Sequence, residues 1–148
     1  IISIQIDKTG ILWVGSLSGK LNKANLNPKG FGLKRNDPKN VNSLSSNQVT
    51  SILEDSSGII WIGTWSGGLN RWNKKTNQFT HFRNNPSNPK TLKNDNVHAI
   101  LEDRHGHLWI ANGDVLSQLN KQTGEFTHYY SNTGRYKEEG HKMIYSIA

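Results

Sequence analysis

The chain has 148 residues, no cysteine and a formal net charge of +7. The absence of cysteine excludes a disulfide scaffold, a thiol nucleophile and a cysteine-based zinc site; no apolar run reaches the roughly 20 residues that a membrane helix needs, and no signal peptide is visible. The 18 Lys and Arg are scattered over turns and polar runs, without the concentrated stripe that nucleic acid requires, so they read as solvated; a basic surface still favours an anionic partner such as an acidic glycan.

In chain order, the first phrase of note is Asp7-Lys-Thr-Gly-Ile-Leu-Trp13-Val-Gly. It returns 48 residues on as Asp55-Ser-Ser-Gly-Ile-Ile-Trp61-Ile-Gly, and 48 further as Asp103-Arg-His-Gly-His-Leu-Trp109-Ile-Ala. A fixed period with one aromatic per unit marks a repeat architecture. The units run 1–48, 49–96 and 97–143, and residues 144–148 open a fourth. The chain begins inside a strand-like run at Ile1 and stops inside another at Ala148, so it reads as a segment of a longer protein.

Strand-like runs start at Ile1, Ile11, Lys20 and Phe31 in the first unit. In the second they span Val49–Glu54, Ile59–Thr64, Gly68–Asn73 and Phe79–Arg83. In the third they start at Val97, His107, Leu116 and Phe126, with one residue missing after Ala111. Helical periodicity is absent, and turn residues punctuate the chain at the spacing of an all-β array. The inner runs are apolar on both faces: Ile59, Trp61 and Gly63 on one, Ile60 and Ile62 on the other. Such strands are sandwiched between layers. The third and fourth runs are more polar, so burial should fall from the first strand to the fourth. That gradient suits a propeller blade. The expected fold is all-β: three four-stranded antiparallel propeller blades plus the first strand of a fourth, a partial propeller that further blades of the same protein or another copy would complete.

Each Asp-x-x-Gly reads as a hairpin turn in which Asp caps backbone N–H groups and Gly takes a positive φ. Asn73 to Asn77 and Asn120 to Gly124 read as the turns between third and fourth strands. Gly15, Gly63 and Ala111 would let a neighbouring blade approach closely. The connections Asn36 to Gln48 and Asn84 to Asn96 share an early proline, Pro38 or Pro86, and a later leucine, Leu44 or Leu92, expected to plug the gap between blades. The third connection, Ser131 to Met143, lacks both.

The phrase Val49-x-x-Ile52-x-Glu54-Asp55-x-x-Gly58-x-Ile60-Trp61-Ile-Gly-Thr64-x-x-Gly67-Gly68-Leu69-Asn70-Arg71 resembles the two-component regulator propeller repeat. So does Phe79-Thr-His-Phe82 with the following Asn85-Pro86 and Leu92. The resemblance recurs three times over nearly the whole chain. It implies the periplasmic sensor region of a membrane-spanning histidine kinase that responds to polysaccharide breakdown products, with the kinase domains outside this chain.

Strand alternation puts the connections on one axial face with the second-to-third-strand loops: Leu17–Ser18, Trp65 to Gly67, and Gly113–Asp114. The Asp-x-x-Gly turns lie on the opposite face. The connection face varies more between units, so ligand contacts are expected there. Trp65 is the leading candidate, because its counterparts are Leu17 and Gly113 and the repeat itself needs no aromatic there. It would either stack on a sugar ring or cover the end of the core. Ser66 beside it, Arg71, Arg83, Asn112 and Asp114 are the polar candidates. Trp13, Trp61 and Trp109 read as core wedges between blades. Asp7, Asp55 and Asp103 read as turn caps, since none has the second acid a calcium cage needs. His81 and His128 read as solvated. No catalytic set, metal site or cofactor motif is evident.

The leading expectation is a non-enzymatic sensing or signal-transmitting module with an oligosaccharide ligand, without nucleic-acid or membrane contact by this segment. One alternative is a propeller lyase similar to the streptogramin lyases, with His105 or His107 as base. Another is a module that only dimerises or assembles the sensor.

Overall fold

The computed structural model describes residues 3–16, 20–25 and 31–130. The expected start of the first strand at Ile1, the Leu17–Ser18 loop, the Ser131–Met143 connection and the Ile144–Ala148 strand lie outside the described residues. Twelve strands are described. Blade 1 holds β1 (Ser3–Ile6), β2 (Ile11–Ser16), β3 (Lys20–Asn25) and β4 (Phe31–Lys34). Blade 2 holds β5 (Val49–Glu54), β6 (Ile60–Thr64), β7 (Gly68–Asn73) and β8 (Gln78–Phe82). Blade 3 holds β9 (Val97–Glu102), β10 (Leu108–Asn112), β11 (Val115–Leu119) and β12 (Phe126–Tyr130). Each blade is an antiparallel meander in chain order, and together they form a partial β-propeller.

The Asp-x-x-Gly turns explain where the inner hairpins close. The Gly58 N–H donates to the Asp55 carbonyl, and the Asp55 N–H donates to the Ile59 carbonyl, both at 2.9 Å. Gly58 sits at φ +81°, as do its counterparts Gly10 at +77° and Gly106 at +81°. A left-handed glycine after a type I turn is how a three-residue hairpin loop matches the twist of its strands. Ile59 belongs to this turn, so β6 starts one residue later than its apolar pattern suggests. The loop between second and third strands is one residue shorter in blade 3, where Asn112 pairs with Val115; in blade 2 Thr64 pairs with Gly68. The missing residue therefore falls in that loop.

Blades stack through their inner strands, with β5 against β1 and β2 and β9 against β5 and β6. Glycine makes this approach possible: a Cβ built on Gly15 would lie 2.7 Å from Val49 Cγ1, and one on Gly63 would lie 2.6 Å from Val97 Cγ1. The first seam buries Trp13, Leu21, Leu44, Val49, Ile60 and Trp72. The second buries Trp61, Leu69, Leu92, Val97, Leu108 and Phe126. Leu44 and Leu92 thus lie in equivalent places between blades.

Burial follows the expected gradient with one difference. The most buried strand of blade 2 is β6, with every residue buried, and not β5, where Thr50, Ser51, Leu53 and Glu54 are half-buried. A second strand is covered on both faces by adjacent blades, whereas the innermost strand turns an edge toward the axis. The outer strand β8 is the most open.

Candidate functional site

The turn face is built from one repeated unit. Asp55 Oδ1 accepts the Ser57 and Ile59 N–H groups at 2.9 and 3.0 Å and the Ser57 hydroxyl at 2.6 Å. Its Oδ2 accepts the indole N–H of Trp61 at 2.8 Å. Asp7 does the same for Thr9, Ile11 and Trp13, with the indole at 3.0 Å. Asp103 takes the His105 and His107 N–H groups and the Trp109 indole at 2.9 Å. Each aspartate therefore caps its turn and also satisfies the polar end of the tryptophan six residues on. These bonds engage both oxygens of each of the three carboxylates.

Lysines join the blades across this face. Lys74 Nζ lies 3.0 Å from Asp7 of blade 1 and 2.7 Å from Glu54 of its own blade. Lys121 Nζ repeats this at the next seam, 3.1 Å from Asp55 and 2.6 Å from Glu102. Burial opposes the charge on Asp55, but hydrogen bonds from Ser57, Trp61, Ile59 and Lys121 outweigh it and hold its pKa down to about 2. Burial likewise opposes the charge on Asp7, and bonds from Thr9, Trp13, Ile11 and Lys74 keep that carboxyl well below its ordinary range. Desolvation disfavours the ammonium of Lys74 and Lys121, yet their acidic partners raise both above the usual value.

The connection face is less uniform. Trp65 is 39% exposed, and its ring meets His98 of blade 3 edge-on at 5.4 Å. The Trp65 backbone N–H donates to the Gln48 carbonyl at 2.8 Å. Ser66 follows at φ +59°, a left-handed conformation uncommon for a residue with a Cβ. The Asn96 side chain pins it by accepting the Ser66 N–H at 2.9 Å. Burial lowers the pKa of His98, which favours a neutral imidazole beside Trp65. Arg83 is exposed at the end of the outer strand, and Nη2 donates to the Ser45 carbonyl at 3.2 Å. It lines a cleft of about 280 Å³ with His81, Asp37, Asn36, Asn40 and the 88% exposed Val41. Asp114 is exposed at the tip of the blade 3 loop.

The remaining candidates lie elsewhere. Arg71 is half-buried in the middle of β7. Asn112 is fully buried. In the amide orientation that satisfies its neighbours, Asn112 donates to the Val115 carbonyl and Ser117 hydroxyl and accepts the Asn94 N–H at 3.0 Å. It staples the second connection and offers nothing to a ligand, because a polar residue one step inside a loop tip still lies between blades. Trp109 is only half-buried, against Tyr129 at 5.4 Å, since among the described residues no later blade covers it. Trp13 and Trp61 are fully buried.

The outer-strand histidines are fixed and not merely solvated. His81 Nε2 lies 2.7 Å from the Ser43 carbonyl. His128 Nε2 lies 3.0 Å from the Thr91 carbonyl, and its Nδ1 lies 2.9 Å from the Ser117 hydroxyl. A carbonyl can only accept, so Nε2 carries the proton in both rings. These histidines tie each of the two described connections to the outer strand of the following blade. His107 holds Asp103 through Nδ1 at 2.9 Å on an exposed turn. That turn lies on the face opposite Trp65, and among the described residues no group of three or more acids and histidines is placed to hold a metal.

The profile described as two component regulator propeller matches residues 43–66 and 91–114. The two stretches are 48 residues apart, and each runs from the buried connection leucine through both inner strands to the loop beyond the tryptophan. Both stretches match the two-component regulator propeller repeat. Among solved structures, the extracellular domain of a hybrid two-component system from B. thetaiotaomicron is similar at 30% identity and a TM-score of 0.78, over 89% of this chain and 18% of that one. The extracellular domain of a second such system from that organism is similar at 21% identity and a TM-score of 0.50, over 92% of this chain and 25% of that one. This repeat chain thus spans less than a third of the length of either relative. No curated protein matches it.

Proposed function

We propose that these repeats are a non-enzymatic sensing segment, in the periplasmic region of a membrane-bound two-component kinase whose catalytic domains lie outside this chain. The likeness to the extracellular domain of a hybrid two-component system supports this reading. Ligand contacts belong on the connection face, and the observation that carries this is Trp65: an exposed aromatic on a pinned, left-handed loop that the repeat itself does not require. An exposed indole face suits an apolar face of a pyranose ring, so the ligand proposed is an oligosaccharide. Ser66 follows Trp65 in the same loop, and the exposed Asp114 and Arg83 are further polar candidates on this face. Arg71 would contribute only by supporting β7.

The test is calorimetric titration of the chain with neutral and acidic oligosaccharides, in parallel with Trp65→Ala. Binding of one sugar class that Trp65→Ala abolishes is the expected result. Affinity unchanged by that substitution, or turnover of a sugar that His105→Ala/His107→Ala removes, would overturn the reading.

A further inference from the structure

The cleft that Arg83 lines is framed by bonds that the next unit repeats. Asn36 Nδ2 donates to the Leu44 carbonyl at 2.6 Å, and Asn84 Nδ2 to the Leu92 carbonyl at 2.8 Å. The Asp37 N–H donates to the Ser43 hydroxyl at 2.9 Å, and the Asn85 N–H to the Thr91 hydroxyl at 2.9 Å. His81 and His128 close the two frames from the outer strands. The fold thus sets the walls before any ligand arrives, which lowers the ordering cost of binding.

The charges on these walls are not part of the frame. Asp37 Oδ1 accepts the Lys39 N–H at 3.0 Å, and Asn85 Oδ1 accepts the Ser87 N–H at 3.1 Å. A neutral amide therefore closes the same turn, and the negative charge of Asp37 is surplus to it. Arg83 gives one N–H to the Ser45 carbonyl, and the sequence has Tyr130 at its place in the next unit. Asp37 and Arg83 are both exposed and both line the cleft, yet no ion pair joins them among the described residues. Pro38, Leu44 and the exposed Val41 add apolar lining. Opposite charges that share a cleft without pairing complement a ligand that carries both signs. A ligand carboxylate would take charge-assisted bonds from the guanidinium, and a ligand ammonium would donate to Asp37. A simple anion or cation would instead meet one like charge. The volume of about 280 Å³ lies at the small end of ligand pockets, which limits the occupant to a small molecule.

We propose that this cleft is a ligand site of its own, separate from Trp65, for a small aliphatic zwitterion: a free amino acid or a dipeptide. Arg83 holds its carboxylate, Asp37 holds its ammonium, and Pro38 and Val41 cover its side chain.

The test titrates the full chain with leucine and with leucyl-leucine, read by NMR at the Val41 amide and the Arg83 Nε–H. The N-acetylated form of each, which lacks the ammonium, and the C-amidated form, which lacks the carboxylate, serve as controls. At least one zwitterion is expected to shift both signals saturably, and the one that binds tells amino acid from dipeptide. Its capped forms should bind at least about tenfold more weakly. Asp37→Asn, which Asn85 shows to be compatible with the turn, should weaken the zwitterion to the level of its N-acetylated form. Arg83→Gln should weaken it to the level of the amidated form. Trp65→Ala should leave this binding unchanged, which keeps the outcome independent of the oligosaccharide reading. No shift with either zwitterion would overturn the proposal. So would capped forms that bind equally well, or binding that survives both cleft substitutions.

Discussion

The two axial faces are made by the same strands and differ in how faithfully the units repeat. On the turn face, Asp7, Asp55 and Asp103 hold their turns and their tryptophans by matching bonds. On the connection face, the scaffold repeats but the tips diverge: Trp65 is answered by Gly113, and Asp37 by Asn85. Identical chemistry in each unit is what blade stacking requires of any repeat protein, where each unit contacts only its neighbours. Divergence on a rigid scaffold is what recognition requires. The turn face therefore repeats its bonds from blade to blade, while the connection face keeps its buried leucines and varies at its tips.

Substitutions on the two faces should separate accordingly. The largest effect should come from Trp61→Ala, which removes a fully buried ring and orphans its bond to Asp55. A loss of about 3–5 kcal/mol in denaturant unfolding is expected. A loss below about 1 kcal/mol would mean that the seam does not depend on its tryptophan.

Acid should attack the same face. The folded pKa of Asp55 is depressed to about 2, so its stabilisation is complete above the unfolded value near 4 and is lost as pH falls toward 2. Stability should decline by about 2 kcal/mol per such carboxylate over that window. Lys74 and Lys121 are raised in the folded state, so their share is complete below about pH 10 and is lost only above it. Thermal midpoints across pH 2–5 check the acid limb; a flat profile would contradict the hydrogen-bonded, ionised state of Asp55 in the folded chain.

Gly63→Ala adds one methyl group against Val97 Cγ1 at the second seam. Overpacking of about 1–2 kcal/mol is expected in the same unfolding assay. No loss would show that the seam has slack. At the other extreme, Trp65→Ala should change stability by less than about 0.5 kcal/mol, because the ring is partly exposed at a loop tip. A cost comparable to that of Trp61→Ala would place Trp65 with the structural residues.

Much of the architecture was legible in the sequence because the repeat fixes it three times over. The Asp-x-x-Gly turns, the connection leucines and the close approach at Gly15 and Gly63 all follow from local residue chemistry. The indole bond to each aspartate was not legible, since an apolar setting alone accounts for a buried tryptophan. Nor were the lysine bridges: Lys74 and Asp7 lie 67 residues apart and meet only when two blades stack. The recurring Glu54-Asp55 and Glu102-Asp103 pairs, with a lysine after Asn73 and Asn120, were the available signal. Asn112 misleads because its neighbours are loop residues while its side chain points between blades. The histidines on the outer strands mislead for a similar reason: the strand is exposed, but the connection folds back over it.

Lys74 and Lys121 each bridge two blades across the turn face, beside the apolar seams. A double-mutant cycle between Asp55 and Lys121, using Asp55→Asn and Lys121→Met in denaturant unfolding, tests the contribution of such a bridge most directly. Non-additive losses with a coupling of about 1–3 kcal/mol are expected if the bridge joins the blades. Additive losses, with coupling near zero, would show that the bridge contributes nothing to joining the blades.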